Sequence, residues 1–169
     1  MKTPLLLVIL LALPLMAAAA DYEITVERKK DAGGGLQGGT RLTSTQNWTG
    51  VIKIKNRTFK PSPELQVRYI IFVKRQQLGQ ATDLELTDKI KGSTKADSIK
   101  PGAVVTVMTS DVPLHKGQMA PGWRTREGGR QASQDSVHGI WVQLYDPEGN
   151  VVADYANPST LKQKYEWQN

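Results

Sequence analysis

Gly33, Gly35 and Gly38 stand in the register G-x-G-x-x-G within the stretch DAGGGLQGGTR, the spacing by which a strand–turn–helix unit cradles the pyrophosphate of a dinucleotide. That chemistry needs a helix opening at the third glycine, so that its free N–H groups meet the phosphates. The chain instead continues as GGTRLTSTQNWTG, rich in Thr, Ser and Gly and without an apolar stripe of helical period. No Gly-Lys-Ser/Thr closes the run, as a Walker loop would require. Residues 31–39 therefore read as flexible chain between two strands, and no nucleotide or other cofactor is expected.

Two histidines, His115 and His138, could ligate a metal or act as a general base. They have neither H-x-H nor H-x-x-x-H spacing, and the chain has no cysteine to complete a zinc site. Ser110-Asp111, Ser133 and Ser136 beside Asp135 supply the residue types of a hydrolytic triad. Without a G-x-S-x-G elbow they read as loop residues. Asp83, Glu85 and Asp88 read as the outward series of one solvated strand, and only acids converging in a cleft would revive a hydrolase. Asp146, Glu148 and Asn150 fall short of the six or more oxygens that calcium takes, and they suit a turn. The sequons at Asn47 and Asn56 would matter in a eukaryotic secretory pathway, which nothing else in the chain indicates. The chain is read as carrying no catalytic and no metal constellation.

Residue types that suit recognition are easier to find. The segment 110–137 shows almost no periodicity and contains Trp123 among Arg124, Arg126 and Arg130. Loops longer than about 12–15 residues in a compact domain are usually functional or disordered, and Trp and Arg dominate binding hot spots. A second candidate surface is the strand face bearing Lys53, Lys55 and Arg57. The first suits a protein partner; with the Arg loop, the second suits an anionic polysaccharide or other polyanion.

The elements that must carry these residues are strands, because apolar positions alternate with period two. Tyr22, Ile24 and Val26 form one series, and Ile52 and Ile54 form another opposite Lys53 and Lys55. In ELQVRYIIFVKR both faces are apolar in the middle, which predicts a central strand covered on both sides. Further strands are expected at 84–90, 103–109, 139–145 and 151–155. The last two are joined by DPEGN, with Pro147 and Gly149 placed for a type I turn and the left-handed residue after it. Trp141, on the face of Gln143 and Tyr145, reads as a core residue. In NPSTLKQKYEWQN, Asn157 and Pro158 would open a short helix seated on a sheet edge by Leu161, Tyr165 and Trp167. The whole predicts one all-β domain over residues 21–169, an immunoglobulin-like antiparallel sandwich of about seven strands with a small barrel as the alternative closure.

Residues 1–20 set the address. Lys2, an apolar run to Met16 and the small pair Ala18 and Ala20 have the form of a secretory leader, with a hydrophobic run shorter than the roughly 20 residues of a spanning helix. Removing Lys2 lowers the net charge from +6 to +5, moderately basic. The segments KNRTFKPSPELQVRYIIFVKR and GIWVQLYDPEGNVVADYANPSTL, together with this leader, resemble small exported immunoglobulin-like sandwich proteins of bacteria, some encoded near type IV pilus and secretion machinery. That resemblance implies a periplasmic or extracellular accessory of the envelope, with envelope or surface proteins as partners. N-terminal sequencing of the exported protein is expected to begin at Asp21; retention of Met1 would contradict the leader.

Overall fold

The computed structural model describes residues 21–30, 34–81, 86–126 and 128–167, so the expected leader at 1–20, Gly33, Asp83 and Glu85 lie outside the described residues. The described residues form nine strands in two antiparallel sheets: β1 (Tyr22–Lys30), β2 (Arg41–Asn56), β3 (Leu65–Arg75), β4 (Leu86–Ala96), β5 (Val104–Met108), β6 (Val112–Met119), β7 (Ala132–Gln134), β8 (Ser136–Tyr145) and β9 (Val151–Asn157). One sheet runs β1-β2-β6-β7, with β5 also paired to β2; the other runs β4-β3-β8-β9. The chain crosses between them after β2, β4 and β7, the alternation of immunoglobulin-like sandwiches, here with the fourth strand beside β3.

Between the sheets lies a core to which β2 gives Ile52 and Ile54, β3 gives Val67 and Ile71, and β8 gives Val142 and Leu144. β3 is central, as its sequence requires: five consecutive residues, Tyr69 to Val73, are buried. Its inward residues enter the main core. Its outward residues Ile70 and Phe72 join Trp141 and Leu161 in a second cluster on the far face. Trp141 is thus buried as expected, but outside the sandwich core.

The C-terminal tail builds that second layer. The helix α1 (Leu161–Lys164) starts later than the sequence suggests, with Thr160 rather than Asn157 at its N-cap. The tail crosses the sheet face, not its edge. Leu161 is buried there, Tyr165 stacks on Phe72 at 4.6 Å, and Trp167 meets Trp141 edge-on at 5.1 Å. Trp141 is itself fixed by an Nε1–H bond to Asp154 at 2.5 Å. Gly139 makes the crossing possible, since a Cβ there would stand 2.5 Å from the Asn157 carbonyl oxygen and 2.8 Å from Leu161.

Two departures from the sequence reading concern length. β2 is 16 residues long and begins at Arg41, well before its apolar series. β1 pairs with it from Trp48 onward, β5 pairs with Val51 to Lys55, and β6 takes Arg41 to Trp48. The segment 110–137 is therefore not one long loop: it contains β6 and β7, and only the stretch between them is irregular. These strands escaped the periodicity test because they form an arm beyond the sandwich, exposed or half-buried along most of its length, where no face demands alternation. Residues 37–39 also form an ordered turn rather than flexible chain, because Gln37 and Thr43 exchange backbone hydrogen bonds at 2.8 and 2.9 Å. Gly38, at φ +136°, has no room for a Cβ beside the Arg41 carbonyl.

Asp135, between β7 and β8, fastens the arm to the second sheet. Its carboxylate accepts from the Arg75 guanidinium at 2.7 Å, the His115 N–H at 3.0 Å and the Gln76 N–H at 3.1 Å. Arg75 continues to Asp88 at 2.9 Å and to the Pro113 carbonyl at 2.8 Å; Asp88 is exposed, as a solvated strand face requires, and also serves as an ion-pair partner. Burial pushes the Asp135 carboxyl up, but the His115 N–H, Arg75 and the Gln76 N–H together hold it below its ordinary value.

Both contacts bear on stability. Because the folded-state pKa of Asp135 is depressed, its stabilisation is complete above the unfolded value of about 3.9 and is lost as pH falls through the folded one. Asp135→Ala is expected to cost about 3 kcal/mol at pH 7, by leaving the His115 and Gln76 N–H groups without their acceptor and Arg75 with Asp88 as its remaining carboxylate, and to flatten the acid limb of a urea-melt pH series. Gly139→Ala is expected to cost about 1–3 kcal/mol through overcrowding. Near-UV circular dichroism should report the loss of Tyr165 and Trp167 order; an unchanged melt and spectrum would contradict the crossing.

Candidate functional site

Three places hold the residues singled out in the sequence. The first is the tip of the arm, residues 120–131. Trp123 is 58 % exposed there, and Arg124 and Arg126 are exposed beside it. The tip is built by its own hydrogen bonds. Trp123 N–H donates to the Ala120 carbonyl at 3.0 Å, and the Gln131 amide reaches Thr125 Oγ1 at 2.8 Å and the Gly129 carbonyl at 2.6 Å. Ala120 N–H binds the Thr40 carbonyl at 3.0 Å. Arg130 is set apart from the other cations: its backbone exchanges bonds with Gly79 and Gln80, both at 3.0 Å, and its side chain is half-buried.

The second place is the outer face of the β1-β2-β5 region. Cross-strand neighbours share a face, so Lys53 and Lys55 stand with Glu23, Thr25 and Glu27 of β1 and with Val104, Thr106 and Met108 of β5. The expected basic stripe is largely answered. Lys53 pairs with Glu27 at 2.6 Å, and Arg57 grips Glu23 through Nε and Nη2 at 3.0 and 2.7 Å. The hydrogen bond and charge of Arg57 hold the Glu23 carboxyl below its ordinary value. Lys55 stands beside this pair. Val104 and Met108, each more than half exposed, add an apolar edge that the sequence reading placed inside a strand without noting its outward side.

The third is a cleft of about 710 Å³ beneath the arm, between the sheets. Trp48, Leu114 and Ile140 give it apolar walls, and Gln46, Ser136 and His138 give it polar ones. The triad candidates do not assemble in it. Asp135 is occupied by Arg75, Gln76 and the His115 backbone, while the His115 ring pairs with Thr45 Oγ1 at 3.1 Å on the opposite face of the arm. His138 is the extra residue of a bulge opposite Phe72 and Val73. Ser110 N–H donates to Tyr69 Oη at 2.7 Å, and Asp111 accepts from Thr49. Among the described residues, no three His, Cys, Asp or Glu side chains converge as a metal would need.

Other residues weighed in the sequence serve the fold. Asp146 turns the β8–β9 hairpin, taking Asn150 N–H at 2.7 Å and its amide at 3.0 Å, with Gly149 at φ +87°. Asn56 is fully buried, and its amide donates to the Lys60 and Ile99 carbonyls while its oxygen receives both Thr58 donors. As a folded residue it is closed to modification. Two features have no counterpart in the sequence reading. One is Phe59, wholly exposed past the end of β2 away from the arm. The other is a groove of about 380 Å³ on the outer face of β3 and β4, lined by Gln66, Arg68, Lys91, Ser93 and Trp167. Its residues come from segments about a hundred positions apart, which no local pattern brings together.

The described residues include no helix long and apolar enough to cross a membrane. No family model matches the chain, and no curated protein matches it. Among solved structures, the chain is similar to a protein from Akkermansia muciniphila at 12% identity and a TM-score of 0.36, covering 88% of this chain and 78% of that one. It is also similar to Northeast Structural Genomics Consortium target SoR45 at 7% identity and a TM-score of 0.38, covering 88% and 96%.

Proposed function

We propose that this protein is an exported, non-enzymatic β-sandwich module of the bacterial envelope that engages another protein through the tip of its β6–β7 arm. The observation that carries the reading is Trp123: a large aromatic, 58 % exposed, on a loop whose backbone is already fixed by hydrogen bonds. An ordered loop spends little entropy on binding. An exposed indole flanked by two guanidinium groups offers the side chains that most often anchor protein interfaces. Arg124 and Arg126 ask for acidic or aromatic groups on the partner. The leader at 1–20 supports the envelope address. The polyanion reading of Lys53, Lys55 and Arg57 is not favoured, because Glu27 and Glu23 meet two of those three cations.

Capture from intact envelopes tests this. A partner held by the wild-type protein should be lost by the triple variant Trp123→Ala, Arg124→Ala, Arg126→Ala, and Trp123→Ala alone should weaken binding by at least about 1 kcal/mol. Within the arm, native trypsin should cut after Arg124 and Arg126 before Lys116 and Arg130. Lys116 lies in a strand paired on both sides, and the Arg130 backbone is bonded to residues 79 and 80. The partner should protect those bonds; equal capture by the triple variant would sink the reading.

A further inference from the structure

We propose that the cleft beneath the arm is a second binding site, separate from the tip, and that it takes an extended peptide segment in which an apolar side chain is followed by a carboxylate. Strand register shows why the cleft suits an anion. Along β1 the inward series runs Ile24, Val26, Arg28, opposite Ile54, Ile52 and Gly50 of β2. Ile24 belongs to the core and Val26 packs against it, whereas Arg28 lines the cleft. An arginine thus stands where the pattern calls for an apolar residue. Lys116 lines the cleft from the arm, opposite Ser44 of β2 and Gln134 of β7. Among the described residues, the side chains of Arg28 and Lys116 have neither a hydrogen bond nor an ion pair. The two acids of the lining are answered already, Glu27 by Lys53 at 2.6 Å and Asp135 by Arg75 at 2.7 Å.

The walls narrow the ligand further. The volume of about 710 Å³ lies within the range of ligand sites. Val26, Trp48, Leu114 and Ile140 give an apolar surface continuous with the sandwich core, joined by half-buried Leu36 from the segment before β2. Trp48 is placed by Gly50, since a Cβ there would stand 2.9 Å from the indole ring. This surface accepts an aliphatic or aromatic side chain. The same lining holds Ser44, Gln134 and Ser136, whose side chains have no hydrogen bond among the described residues. Peptide N–H and C=O groups pair with such hydroxyls and amides. A fatty acid is the poorer match, because its chain would take water from these polar groups and give no bond in return. A guanidinium and an ammonium group then hold the carboxylate by charge-assisted bonds, whether it belongs to a chain end or to an Asp or Glu side chain. None of these residues lies in the tip at 120–131, so the site does not rest on the reading of Trp123.

Fluorescence anisotropy of the full protein with a fluorescein-labelled Ser-Gly-Ser-Leu-Leu peptide tests the site. The peptide with a free carboxylate should bind, its C-terminal amide should bind about tenfold more weakly, and dodecanoate should not compete. An amidated peptide ending in Leu-Leu-Glu separates the two sources of the acid: recovered binding assigns it to a side chain, and continued weak binding assigns it to the chain end. Arg28→Gln should raise the Kd about tenfold and Lys116→Gln by less, with thermal melts showing both variants folded. Lys29→Gln removes the same charge from the outward side of β1 and should bind as the wild type does. So should the tip variant Trp123→Ala, Arg124→Ala, Arg126→Ala. Equal weakening by Arg28→Gln and Lys29→Gln would reduce the effect to net charge and overturn the site. Full binding by Arg28→Gln would also overturn it, leaving the inward arginine as a guard against edge-to-edge pairing of β1. Competition by dodecanoate, or loss of peptide binding in the tip variant, would overturn it as well.

Discussion

The arm hangs on one buried carboxylate. Asp135 joins the end of β3, the middle of β6 and the start of β8 through three donors, and Arg75 extends the connection to β4. A buried charge is costly unless its lone pairs are filled, and here they are filled by groups from separate segments. The arm they hold has little apolar surface of its own. Most of β6 past Leu114, and β2 before Trp48, are exposed or half-buried. Hydrophobic burial places the sandwich, whereas hydrogen bonding and one ion-pair network place the arm, and with it Trp123 and the mouth of the cleft.

Charge illustrates how topology redistributes what composition states. Lys53, Lys55 and Arg57 look like a basic stripe when read along the chain, because every second residue of a strand shares a face. Read across the strands, the same face contains Glu23 and Glu27, and the stripe becomes a set of exposed ion pairs. Such pairs add little to stability, but they cancel the field that would draw a polyanion. On the other sheet the cross-strand neighbours of Arg68 are Ser93 and Gln143, and Lys91 stands opposite Ile70.

The parts of this structure that were legible in the sequence are those where burial enforces a pattern. The double-sided apolar run of β3 foretells both a central position and a covered outer face; the DPEGN hairpin has the turn its residues require. A strand, and not a helix, follows the glycines, as composition alone suggests. The arm was illegible, since a polar ribbon has no alternation to detect. The late start of α1 was missed because tail packing, and not the Asn-Pro pair, decides where the turn begins. The groove at Trp167 was invisible for another reason: its members are brought together only by the tail crossing the sheet.

That crossing sets an order of assembly. Phe72 and Tyr165 are more than ninety positions apart in the chain, and contacts of such separation carry a large loop-closure cost until intervening elements are in place. The surface that receives Leu161, Tyr165 and Trp167 exists only once β3 and β8 have paired across Ile70 and Trp141. The aromatic layer is therefore a late lamination on a finished sheet, shed first when the molecule loosens. Hydrogen exchange along the Trp141 side of the sheet would register its loss while the Ile52–Val142 interior stayed closed.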